Sequence, residues 1–155
     1  MKKLLILRYS ITIFIGLMVI GMSEIIYNYI FNYDIFLKLI EDDVFGKYSF
    51  YLFLLLFVIF ISALFYTQKM LGLFYKNLYF DSKGINCMKK AGILFITFSL
   101  LMIFKSILKT KSLTSIQLFD YLLNFVFLII GFGMLTFIGI LKKGKNLKQE
   151  NELTV

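Results

Sequence analysis

The chain contains no histidine, no proline and no tryptophan, and only one of its 155 residues is cysteine. Without histidine there is no imidazole general base, no Ser-His-Asp or Cys-His nucleophile pair, and none of the commonest transition-metal ligand. The lone Cys87 forms neither an internal disulfide nor half of a thiolate metal site, and its plain reading is a small residue near a helix start. Ten glycines spell no G-x-G-x-x-G and no G-x-x-x-x-G-K-[ST], so a phosphate-cradling loop is not indicated. Neither a catalytic residue nor a cofactor or metal site is expected, and an enzyme is the least favoured class. What the chain has in excess is apolar surface: 60% of its residues are hydrophobic and the mean hydropathy is +0.86. A soluble domain of this size has no core large enough to bury that much, so residues 1–155 read as a single membrane domain.

Four apolar stretches carry this reading. They run over about residues 9–30, 48–66, 88–108 and 118–141, each long enough to cross a bilayer. The first follows Lys2, Lys3 and Arg8; the surroundings of Gly21-Met22-Ser23-Glu24 make a poor small-x-small cleavage site, so a span is favoured over a signal peptide. The expected fold is an all-α membrane protein, a bundle of four transmembrane helices. No tryptophan is present to mark the interfaces, which leaves Tyr27, Tyr29, Tyr33, Tyr48 and Tyr51 to form the outer belt.

The charge balance is 17 Lys plus Arg against 9 Asp plus Glu, a net +8. The cations lie beside the apolar runs, where anionic headgroups account for them, and no extended basic face interleaved with aromatics exists, so no direct nucleic-acid partner is expected. Twelve of them fall at the N-terminus (Lys2, Lys3, Arg8), in the middle loop (Lys69, Lys76, Lys83, Lys89, Lys90) and in the tail (Lys142, Lys143, Lys145, Lys148). Five fall in the alternate loops, at Lys38, Lys47, Lys105, Lys109 and Lys111. Positive-inside asymmetry therefore puts both termini in the cytoplasm of a multi-pass protein of the cytoplasmic membrane.

Between the first two spans, Asp34 to Asp43 reads as a short amphipathic interfacial helix ending in a solvated Glu41-Asp42-Asp43 patch, without the ligand spacing of a calcium loop. In the middle loop the second helix is expected to continue to Asn77 and to turn over 78–80. Asp81 or Ser82 then caps the third helix, and Gly84 and Asn86 weaken its first turn. Lys89 and Lys90 enter the headgroup layer, where lysine snorkels. At the far end Gly144 permits a turn, and the polar tail beyond Leu147 is either disordered or packs Leu153-Thr154-Val155 back onto the elbow.

The four spans, the Phe80-Asp81-Ser82 elbow leading through Lys89-Lys90-Ala91-Gly92, and the ending Gly144 to Leu147 followed by Glu150-Asn151-Glu152-Leu153-Thr154-Val155 resemble the bacterial membrane proteins grouped as domain of unknown function 2975. The resemblance covers nearly the whole chain and is most specific in the tail. Such proteins commonly have a proline before the phenylalanine and an acidic helix start, whereas Tyr79 stands here. They are commonly encoded beside a small helix-turn-helix regulator. The resemblance thus implies a regulator partner at the cytoplasmic face, with Phe80, Asp81, Lys89, Lys90, Glu150, Asn151, Leu153 and Val155 as docking candidates.

Ionisable residues inside a span are expensive and count as site hypotheses. Glu24 and Lys105 lie at matching depth, about 21 to 23 Å from the inner boundary at 1.5 Å per residue. Glu24 shares a helix face with Asn28, and Asp120 shares one with Asn124 and Gly131. One reading is an outer polar cluster in which Lys105 pairs with Glu24 or Asp120 and the asparagines add hydrogen bonds. The other is that Lys105 snorkels and Asp120 simply starts the fourth helix. Function follows the same fork: a non-catalytic regulatory or signalling partner working through the elbow and tail, or a small transporter or self-protection protein using the polar cluster. Besides the bilayer, a second copy of the chain stays open as a partner.

Overall fold

In the computed structural model the described residues are 2–34, 36, 48–109 and 115–153. They form four helices and no strand: α1 (Lys2–Phe31), α2 (Ser49–Tyr75), α3 (Ser82–Lys109) and α4 (Ser115–Leu153). Within hydrocarbon each backbone N–H and C=O needs a partner in its own segment, and helices without a proline supply one throughout. Span threonines follow the same rule: Thr12, Thr67, Thr97 and Thr136 each donate to the carbonyl four residues back, at 2.9 to 3.0 Å. The shortest helix has 27 residues, about 40 Å of rise against a core of about 30 Å, and all four hold a stretch long and apolar enough to cross a membrane. The expected interfacial helix over 34–43 lies outside the described residues apart from Asp34 and Phe36.

Sequential helices are antiparallel neighbours. Thr12 meets Gln68 and Tyr29 meets Phe50 across α1 and α2, Phe60 meets Phe95 across α2 and α3, and Ser99 meets Asn124 across α3 and α4. This up-down-up-down order gathers the N-terminus, the α2–α3 elbow and the α4 tail at one end. Packing repeats every seven residues. On α2 the buried positions include Ser49, Leu56, Ala63 and Met70, joined by Phe60, Thr67 and Phe74. That 3.5-residue period is the signature of helices inclined by about 20° and packed side chain into hole. At mid-bundle Phe60 is the hub: its ring lies 4.7 to 6.4 Å from those of Phe14, Phe95, Phe98 and Phe127, which brings all four helices to one side chain.

Two ends differ from expectation. Helix α2 stops at Tyr75 instead of reaching Asn77, because Asn77 adopts a left-handed conformation (φ 61°). Its N–H donates to Phe74 O at 3.0 Å and that of Leu78 to Leu73 O at 3.1 Å, the paired bonds of a Schellman cap. At the tail, the chain does not turn at Gly144, since α4 continues as helix to Leu153; residues 154 and 155, part of the expected fold-back, lie outside the described residues. Gly144 instead admits the Phe80 ring, whose Cε1 would lie 2.7 Å from a Cβ placed there. The missing side chain serves a contact between segments rather than a bend.

Candidate functional site

The elbow is fixed without a proline. The Tyr79 hydroxyl and the Asn77 side-chain oxygen are 3.1 Å apart, and the Tyr79 ring lies 5.5 Å from Phe74. Asp81 then caps α3 as expected, accepting from the Lys83 N–H at 3.1 Å while its own carbonyl accepts from Ile85. Gly84 does not loosen this turn: it is buried, with Phe74 and Leu73 in ordinary contact distance of a Cβ built there. Phe80 and Tyr79 pack on a buried cluster that includes Phe74, Ile85, Cys87, Met88, Ile138 and Leu141. Cys87 is thus a core residue. Lys89 and Lys90 are exposed, and the Lys90 ammonium stands 5.2 Å over the Tyr66 ring, a cation–π contact joining α3 to α2. Glu150 is exposed on the α4 extension. Asn151 and Leu153 have helical backbone only among the described features, and Val155 lies outside them.

The intramembrane candidates are spread over three helices. Glu24 is exposed on α1, and Asn28 one turn on is half-buried, its side-chain oxygen accepting from Asn32 Nδ2 at 3.4 Å. Lys105 is half-buried on α3 and Asp120 is exposed on α4. Asn124 is different, only 2% exposed, and its carbonyl accepts a 2.5 Å hydrogen bond from the fully buried Ser99 hydroxyl of α3. Seven residues from this pair, Gly92 faces Gly131: a Cβ on either would lie 2.8 to 2.9 Å from the other's carbonyl oxygen. Another seven residues on, Ile85 and Ile138 enter the same buried cluster. The α3–α4 seam is therefore a run of matched layers, with glycines for close approach and a serine–carbonyl bond beside them. Replacing Ser99 by alanine should cost about 0.6 to 1.7 kcal/mol, the range for interhelical hydrogen bonds in bilayers, read as a lowered melting temperature of the protein in detergent.

Reading residue types alone passes over Gly92 and Ser99, because neither is charged. The signal was spacing: 85, 92 and 99 on α3 against 138, 131 and 124 on α4. A second omission lies across α1 and α2, where Gln68 donates to the Thr12 hydroxyl at 2.6 Å and the Arg8 guanidinium covers Gly72, its Cζ 3.5 Å from a Cβ built there. Beyond this polar end, a cavity of about 300 Å³ opens between α1 and α2, lined by apolar side chains that include Phe14, Leu17, Met18, Met22, Phe53 and Phe57.

Four long apolar helices, packed in alternating directions through small residues, polar side chains and an aromatic hub, define a four-span helical membrane protein. The chain belongs to the family described as "Protein of unknown function (DUF2975)", whose pattern matches residues 6–155, so the resemblance read from the elbow and tail extends over essentially the whole chain. No curated protein matches the chain. No solved structure does either.

Proposed function

We propose that the protein is a non-catalytic regulatory or signalling component of the cytoplasmic membrane, with both termini inside, whose elbow and tail together receive a cytoplasmic helix-turn-helix regulator. The observation that carries this reading is the contact of Phe80 with Gly144, which joins the α2–α3 elbow to the α4 extension. A partner touching one necessarily senses the other. The extension itself is a support: residues 142–153 prolong α4 by about 18 Å at 1.5 Å per residue, offering a rigid handle where a loose tail would give none. The charge asymmetry argues for the cytoplasmic side, because Arg8, Lys69, Lys76, Lys83, Lys89, Lys90, Lys142, Lys143 and Lys145 share one end of the bundle. The identity of the partner rests on family resemblance.

The test is co-sedimentation of the regulator encoded beside the protein with membranes that contain it. Gly144→Leu forces Phe80 off the tail yet raises the helix propensity of α4 by up to about 1 kcal/mol, so the extension stays helical while the joint surface is lost. Association is expected to fall about tenfold or more in this variant and on removal of the last six residues. Unchanged co-sedimentation in both variants refutes the reading.

A further inference from the structure

The face α1 turns to α2 follows a heptad. Positions 4, 11, 18 and 25 form one stripe and 8, 15, 22 and 29 the other, and every one is at least half-buried except Arg8. An arginine thus occupies a seam position. Its guanidinium lies over Gly72, where no side chain stands in its way. Arg8 has no acid to answer it on either helix of this seam: α2 carries none, and the only one on α1, Glu24, is sixteen residues distant. Lys69, three residues before Gly72 and therefore on the same side of α2, adds a second exposed cation. Gln68, one turn before Gly72, is already engaged with Thr12.

Up the same seam, at its far end, the Tyr29 and Phe50 rings stack at 4.0 Å, with Phe36 edge-on to both. Gly21 contributes no side chain, and a Cβ built on it meets nothing within 4 Å. The result is the apolar cavity bounded by Met18, Met22, Phe53 and Phe57. On α1 its near lining, Phe14, Leu17 and Met18, is six to ten residues from Arg8, about 9 to 15 Å along the helix, whereas Met22 is fourteen residues away, about 21 Å. The near lining thus falls within half the hydrocarbon core, the reach of one acyl chain from its own headgroup.

We propose that the α1–α2 seam binds one anionic phospholipid, its phosphate on Arg8 and Lys69 and the end of one acyl chain in the near part of the cavity, at Phe14, Leu17 and Met18. A planar guanidinium takes a phosphate through two parallel hydrogen bonds, and at the membrane boundary that pairing is only partly screened. The apolar lining gives the cavity no hold on a polar solute, whereas a chain tethered by its phosphate reaches it directly. The site commits to a diacyl phosphate lipid over free phosphate, because half of the recognition is apolar.

Native mass spectrometry of the full-length protein, released from nanodiscs of mixed phosphatidylglycerol and phosphatidylethanolamine, tests this. One phosphatidylglycerol is expected to remain bound in preference to phosphatidylethanolamine, with millimolar inorganic phosphate failing to displace it. Arg8→Gln should lower that retention about tenfold or more, since a charge-assisted pair is lost. Gly21→Leu fills the cavity without moving the backbone and should displace the lipid while leaving the melting temperature in detergent unchanged or raised. Lys83→Gln, on the elbow, should behave as wild type. Equal retention of both lipids, displacement by phosphate alone, retention unaffected by Arg8→Gln and Gly21→Leu, or a lipid-free dimer that Gly21→Leu dissociates would each overturn the proposal.

Discussion

Replacing Gly131 with leucine is expected to cause the largest loss of stability of any single apolar substitution in the chain. A Cβ at this position meets Ile96 Cγ1 at 2.7 Å, the Gly92 carbonyl oxygen at 2.8 Å and the Ile96 nitrogen at 3.1 Å. Two of these three obstacles are backbone of α3, which cannot rotate aside as a side-chain tip would. Relief requires α3 and α4 to part, and parting them breaks the Ser99–Asn124 bond one heptad away and loosens Ile85 from Ile138 one heptad the other way. Overpacking in a well-filled core costs about 1 to 3 kcal/mol; with backbone on both sides the cost here should be about 3 kcal/mol or more. Gly133 supplies the control. It sits two residues along the same helix, a Cβ there meets nothing within 4 Å, and Gly133→Leu should be neutral or stabilising by up to about 1 kcal/mol through helix propensity. Thermal unfolding of the two variants in detergent reads the difference directly. If Gly131→Leu melts with Gly133→Leu, the close crossing of α3 and α4 is wrong.

The number of helices was legible because lipid imposes two loud constraints, length and apolarity, and this chain meets both four times. The Asp81 cap was legible for a local reason: a side-chain oxygen placed before a helix has one obvious employment. The tail was misread because Lys148 to Glu152 is polar enough to pass for a disordered segment and a glycine at position 144 is an ordinary stop signal. What overrides both is length: α4 is already nucleated by the 29 residues from Ser115 to Lys143, and propagation costs little once nucleation is made. Gly144 is then explained by Phe80, 64 residues earlier, which no local rule connects to it. The α3–α4 seam was hidden for another reason. Attention to charge selects Glu24, Lys105 and Asp120, whereas helix association in a bilayer is governed by how closely backbones approach, and that is recorded in glycines and serines at heptad spacing. Of the polar residues singled out, Asn124 occupies the buried layer, and its partner Ser99 emerged only with the structure.

The second large effect is expected at Phe60. Its ring is 5% exposed and sits among Phe14 of α1, Phe95 and Phe98 of α3 and Phe127 of α4, the only described ring in contact with aromatic rings of all three other helices. In water, truncating a buried phenylalanine to alanine costs about 3 to 5 kcal/mol, part of it transfer of apolar surface and part the cavity left behind. Within a bilayer the transfer part largely vanishes, because lipid tails are as apolar as the site. What remains is lost dispersion contact and the edge-to-face pairs, each worth about 0.5 to 1.5 kcal/mol, so Phe60→Ala should cost about 3 kcal/mol. Phe65, on the same helix but 55% exposed, should tolerate alanine with a change near zero. A double-mutant cycle of Phe60→Ala with Phe127→Ala sharpens the test, since their rings are 5.3 Å apart and their couplings should be about 0.5 to 1.5 kcal/mol. Additive losses would mean that the rings fill space independently. Coupled losses would mean that the hub binds four helices into one cooperative unit, in which the α1–α2 seam and the α3–α4 seam cannot loosen separately.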